Sequence, residues 1–288
     1  LAAIDDIEQA VELDPEDQGT QSWRSWEIAR RAGDHYFDAG RYADAIPFFE
    51  RMVAYCPTDS NSWFRVARSQ LAAGDLASAA RTYNEALRVL DPPQRTGCET
   101  NDASLLFSTT RKMAQAAASD PAIPDDILWR VYEAMAADLP AFLQVYPALE
   151  TEATFWRAQG EFGWEAGKHL ILLEQDAMVP QVVNQVAAHY EHVVDYDAGW
   201  QDRLTFMESG ALGWYYLYRG NDFFGEVEAY EKHATDYGRA LADYRQAVNL
   251  IDYSQPVNRP FALRAAFKAG KAALVLGDDE LAAQLYGQ

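Results

Sequence analysis

Gly40 and Gly74 stand 34 residues apart, and the residues around them fall into the same step. Reading from Trp26, the chain gives Ala32-Gly33, Tyr36, Gly40, Tyr42, Ala45, Phe49 and Pro57. From Ser60 it gives Trp63, Val66-Ala67, Gly74, Leu76, Ala79, Tyr83 and Ala86, closing at Asp91-Pro92. Each position has a physical reason. Gly33/Ala67 and Ala45/Ala79 are small where two antiparallel helices must approach closely, and Tyr36, Phe49 and Tyr83 are the large groups that fill between them. Gly40 and Gly74 end a first helix, because glycine enters the left-handed conformation without cost; Pro57 and Pro92 stop a second. A period of this length is the mark of one supersecondary unit stacked on copies of itself.

These residues resemble the tetratricopeptide repeat family, whose 34-residue pattern runs W-x2-L-G-x2-Y, A-x3-F, P. The resemblance implies an all-α fold: a right-handed superhelix, or solenoid, of antiparallel helix pairs running through residues 1–288. Residues 1–17, with Ala3, Ile7, Ala10 and Leu13-Asp14-Pro15, read as the second helix of a truncated repeat. Residues 26–59 and 60–93 are the regular repeats. The segment 94–152 reads as a degenerate or inserted helical pair, opening on a turn-rich run to Asp102 with helical patterns at 105–118 and 126–137. Two enlarged repeats follow at 153–205 and 206–258: Gly167 and Gly220 fit first-helix ends, yet Ala187 and Ala240 come 20 residues after them rather than 5, a shared enlargement of 15. Residues 263–288, with Ala269-Gly270, Gly277, Ala282 and Tyr286, reproduce a truncated final repeat, so the chain reads as part of a longer one.

Charge and chemistry narrow the function. Forty-four acidic against 24 basic residues give a net charge of −20. Without a Lys/Arg block, this argues against nucleic acid as partner, since phosphate binding rests on clustered cations. The excess acidity favours a ligand with basic residues. No run nears the roughly 18 apolar residues of a bilayer span. Nucleophile elbows, phosphate-cradling glycine loops and zinc-peptidase motifs are absent from the sequence, which points to a non-catalytic chain without cofactor or resident metal. His189 and His192, three apart on one helix, read as ordinary surface residues at outward-facing second-helix positions. Cys56 and Cys98 lie in no metal-ligand spacing and allow either two thiols or one bridge.

The resemblance also implies a role, protein–protein recognition as a scaffold or adaptor, and a place for it. In the family the first helix of each pair lines a concave groove through positions 2, 5, 9, 12 and 13. Transferred onto this sequence, that register selects Arg30, Asp34 and Phe37, then Phe64 and Arg68, Arg157 and Trp164, Trp214 and Tyr218, and Lys271. Aromatic anchors with charged neighbours are what a peptide-binding surface needs. The family's carboxylate-gripping variant is not matched, because Asp34 puts a negative charge where that variant has an amide. Two other roles compete: an arm that recruits substrate for a larger enzyme or signalling ATPase, and an extracytoplasmic assembly factor, the latter requiring a Cys56–Cys98 bridge.

Overall fold

The computed structural model describes residues 18–89, 126–226 and 235–287, with side chains described from Ser25 onward. The segments read above as residues 1–17, the turn-rich run to Asp102 and the helical pattern at 105–118 lie outside them, as does Cys98. Among the described residues the secondary structure is helical, without strands. Contacts divide the chain into two compact units. The first contains the described residues 18–89 and 130–150, and the second contains 126–129, 151–226 and 235–287.

In the first unit α1 (Gln18–Asp38) packs on α2 (Tyr42–Tyr55), α2 on α3 (Ser60–Ala72), and α3 on α4 (Leu76–Arg88). The pairs are antiparallel: Phe37 meets Tyr42 and Tyr36 stacks on Phe48, with ring centroids 5.0 and 5.2 Å apart. Asp59 and Asp75 cap α3 and α4 by accepting the backbone N–H of Ser62 and Ser78. Each satisfies a helix-end donor that would otherwise have no partner. The unit continues into α5 (Ile127–Val145), tied to α4 by the buried Asn84, which donates to the Met135 carbonyl at 3.3 Å and to Asp138 at 3.2 Å. Tyr146 donates to Glu85 at 2.8 Å.

The second unit pairs α6 (Ala153–Leu172) with α7 (Val179–Tyr196), then α8 (Gln201–Ser209), α9 (Ala211–Phe223) with α10 (Tyr237–Leu250), and α11 (Arg259–Val275) with α12 (Asp279–Tyr286). Its α6 is buried nearly all round, including the polar Gln159, Glu165 and His169.

One device brings the helices together. A side chain built on Gly33 would meet the Phe49 ring at 2.4 Å, on Gly160 the Tyr190 ring at 2.9 Å, on Gly220 the Tyr244 ring at 2.7 Å, and on Gly270 the Tyr286 ring at 2.7 Å. In each case a ring of the second helix packs directly against the glycine of the first. The spacing therefore depends on the missing methyl.

The first helices also end alike. Gly40, Gly74, Gly225 and Gly277 take φ of 72, 87, 82 and 79°, and the backbone closes with the same pair of hydrogen bonds, for example Gly74 to Leu71 and Asp75 to Gln70. Two carbonyls at the helix end are satisfied this way, and only a left-handed residue permits it. The enlarged repeats depart from the spacing argument here. Helix α6 runs past Gly167 and stops at Glu174, a non-glycine at φ 59°, while α9 runs past Gly220 and stops at Gly225. From Glu174 to the fully buried Val179 is five residues, the same interval as Gly40 to Ala45. The first enlargement is therefore helix length, 20 residues in α6 and 18 in α7. In the second, the added residues include 227–234, outside the described part.

Candidate functional site

Helices α1 and α3 of the first unit present a cluster of arginines around one carboxylate. Asp34 accepts from Arg30 at 3.0 Å and pairs with Arg65, while Arg68 stands 3.9 Å away. Arg30 turns its Nε and Nη2 onto Glu27, both at 2.7 Å, and Arg31 reaches the same carboxylate at 2.7 Å. The Arg30 hydrogen bond holds the Glu27 carboxyl down to about 2 against the upward push of burial. Arg68 lies 3.9 Å over the Phe37 ring, and burial, followed by the neighbouring Arg65, pulls its guanidinium below its ordinary value. The group is half open to solvent: the side chains of Arg30 and Asp34 are 29% and 27% exposed, those of Arg65 and Arg68 15% and 12%.

Arg30, Asp34, Phe37 and Arg68 thus come together as the register places them. Phe64 does not join them. It is 1% exposed and packs on Tyr83 with centroids 6.0 Å apart, because the small Ala67 one turn on leaves room for a ring there. Arg65, its neighbour in sequence, takes the outward place, and with Glu27 it completes the cluster. The repeat register gave no signal for Arg65, whose role comes from an ion pair spanning 31 residues.

In the second unit the aromatic candidates form a ladder. Trp164 packs on Trp214 at 4.6 Å, Trp214 stacks on Tyr218 at 5.4 Å with planes 11° apart, and Lys168 lies 5.7 Å over Tyr218. On the other side Arg203 sits among three rings, 4.9 Å from Trp164, 5.6 Å from Tyr190 and 5.5 Å from Phe206. The ladder continues from Tyr190 to Trp200 at 5.7 Å and ends with Arg157 over Trp200 at 5.6 Å. Trp164 is 6% exposed and forms the base, whereas Trp214 and Tyr218 are partly open. Arg203 and Trp200 lie in the segment after α7, outside the first-helix frame. Lys271 stands apart from the ladder: it pairs with Glu226 at 2.8 Å and lies 4.8 Å over Phe224.

Trp156 stacks on His192 at 4.1 Å and His189 at 5.6 Å, so both imidazoles lie against an indole; His192 is exposed as the register implies, but His189 is buried rather than a surface residue, because it packs beneath that indole. Among the described residues no three His, Cys, Asp or Glu side chains converge as a metal site would require, and no described helix is long and apolar enough to cross a membrane. Burial, with the like charge of His192 second, holds the His189 imidazole down to about 4 from 6.5. The unfolded chain therefore takes up a proton at His189 between pH 6.5 and about 4 while the folded chain does not, and stability falls as pH drops through that window. The loss is on the order of 3 kcal/mol. Thermal unfolding of wild type and His189→Phe at pH 7.5 and 5 checks this: the phenylalanine variant loses less on acidification, and equal losses would refute the assignment.

Cys56 is 1% exposed and disulfide-bonded. The sequence has one other cysteine, Cys98, beyond the described residues.

Two family models described as Tetratricopeptide repeat match the chain, one over residues 2–60 and the other over residues 36–93. No curated protein matches it. Tetratricopeptide repeats generally mediate protein–protein interaction. The matched segments contain the ring-on-glycine contact at Gly33 and the left-handed helix stops at Gly40 and Gly74, so residues 2–93 are similar to tetratricopeptide repeats, and the fold of the described residues, helical throughout, is consistent with a solenoid of that kind.

Proposed function

We propose that the protein is a non-catalytic scaffold that holds a partner polypeptide against the open faces of its first helices. The observation carrying this is the pairing of rings and cations at those faces. Trp214 and Tyr218 are partly exposed and stacked on each other, with Trp214 packed on the buried Trp164. Pre-ordered aromatics of this kind supply contact area at little entropic cost, and neighbouring charges set register. In the first unit Phe37 under Arg68 repeats the arrangement on a smaller scale.

Exchanging Trp214 and Tyr218 together for leucine keeps apolar bulk and removes the rings. Binding of a partner captured by the intact protein weakens by at least tenfold in that variant, measured by titration, with circular dichroism and melting temperature nearly unchanged. Undiminished binding by a folded double variant would take the ladder out of the recognition surface. Trp164→Ala is the poorer probe, since its buried ring supports three neighbours, Phe206, Trp214 and Tyr215.

A further inference from the structure

We infer that the partner segment received by the first unit is acidic, and that Asp34 holds the place of a partner carboxylate. This rests on the reading just given and names the chemistry of one of its faces. Three guanidinium groups, from Arg30, Arg65 and Arg68, converge on a single side chain. Together they carry about fifteen N–H donors, whereas Glu27 and Asp34 offer about eight acceptor positions. The shortage is visible: the buried Nε atoms of Arg65 and Arg68 have no hydrogen-bond partner. Glu27 is already shared between Arg30 and Arg31, so Asp34, with a weaker contribution to Arg68 from Asp38, is the carboxylate that faces Arg65 and Arg68.

The geometry favours a planar, two-oxygen anion. Arg68 has its guanidinium carbon 3.9 Å from the centre of the Phe37 ring, and a guanidinium held over a ring keeps its N–H edge for a carboxylate. The helix-borne Asp34 reaches that edge only at 3.9 Å, too long for a hydrogen bond, so Arg68 is under-served by its own chain. Arg65 and Arg68 also repel each other, a strain that a second anion relieves.

Net charge pulls the other way, since the chain as a whole is −20. The local sum differs: Arg30, Arg31, Arg65 and Arg68 against Glu27, Asp34 and Asp38 give +4 − 3 = +1. At physiological salt, charges beyond about 8 Å are largely screened, whereas half-buried cations in contact with a ligand are not. The contact decides the sign at this face, and the distant acidity governs only how a partner approaches.

The test uses the full 288-residue chain and four nine-residue fluorescent probes. One has internal glutamates and blocked ends, a second has glutamines in their place, a third has lysines, and the fourth is the glutamine peptide with a free C-terminal carboxylate. Anisotropy titrations at about 0.05 and 0.15 M salt give affinities. The glutamate probe binds at least fivefold tighter than the glutamine and lysine probes. Asp34→Asn tightens it by about tenfold, because the competing internal carboxylate loses its charge while its shape stays. Arg68→Gln weakens it by about tenfold, and the more exposed Arg30→Gln provides the same comparison if Arg68→Gln unfolds. Preference for the glutamine probe with the free terminus over its blocked form places the captured carboxylate at a chain end, and preference for internal glutamates places it on side chains.

Equal binding of all blocked probes, a lysine preference, or an Asp34→Asn variant that loses stability without gaining affinity overturns the inference. So does failure of the glutamate probe to bind below about 1 mM. Those results leave the aromatic ladder untouched, whose leucine variant reports on the parent reading separately.

Discussion

Replacing Arg219 by methionine lowers the unfolding free energy by about 3–5 kcal/mol, because it leaves a carboxylate buried without its cation. Arg219 on α9 is 7% exposed at its side chain and joins three parts of the second unit. Its Nε and Nη2 both meet Asp243 of α10 at 2.8 Å, and its Nη1 meets Asp176 at 2.6 Å and the Ile171 carbonyl at 3.3 Å. Burial already pushes the Asp243 carboxyl above its usual value, with Arg219 opposing. Once Arg219 is gone that opposition is lost and the folded-state value climbs further. A carboxyl whose folded value exceeds its unfolded one binds more protons when folded, so the penalty is full at neutral pH and shrinks as pH falls through the raised value. Urea unfolding of Arg219→Met at pH 7.5 and 5 follows this directly. Adding Asp243→Leu to the methionine variant recovers most of the loss, since an apolar pair of similar volume replaces the ion pair at little cost. A single variant within about 1 kcal/mol of wild type, or a double variant no better than the single, would show that the clasp does not hold α9 to α10.

The second large effect lies at the ring-on-glycine contact of the first unit. Phe49 is fully buried, and Phe49→Ala costs about 3–5 kcal/mol through lost burial and the cavity it leaves over Gly33. Gly33→Ala alone costs about 1–3 kcal/mol, because its methyl would sit 2.4 Å from the Phe49 ring edge. Combined, the two changes cost less than their sum by more than 1 kcal/mol: the methyl occupies space the ring has vacated, and alanine is the better helix former. Strict additivity in a thermal or denaturant double-mutant cycle would mean that the ring and the glycine do not share that space.

These predictions also show what could be read from the sequence. Gly33, Phe49, Gly40 and Gly74 were legible because their causes are local or repeat at a fixed step: a left-handed helix stop needs a glycine, and a close approach needs a small residue opposite a large one. The stop at Glu174 obeys the same geometry without the glycine, so the end of α6 was assigned seven residues early, at Gly167. Glu174 also pairs with Arg239 of α10 at 2.5 Å, a contact 65 residues away that leaves no trace in periodicity. Arg65 and Arg203 were missed for a related reason. Each gains its place from partners on other helices, and the register that found Arg30, Asp34, Phe37 and Arg68 describes only one helix face at a time. Phe64 shows the converse: a position that faces outward in the family's register turns inward here because Tyr83 and Ala67 make room for it.

The unequal sheathing of the two units bears on how each could be re-specified. Helix α6 is enclosed almost all round, so a new specificity written onto the base of the ladder would have to be repacked along with it. The half-open residues 30, 34, 65 and 68 carry far less of the hydrophobic load, and a designer, like natural variation, could rewrite what they discriminate while the scaffold beneath them stays as it is.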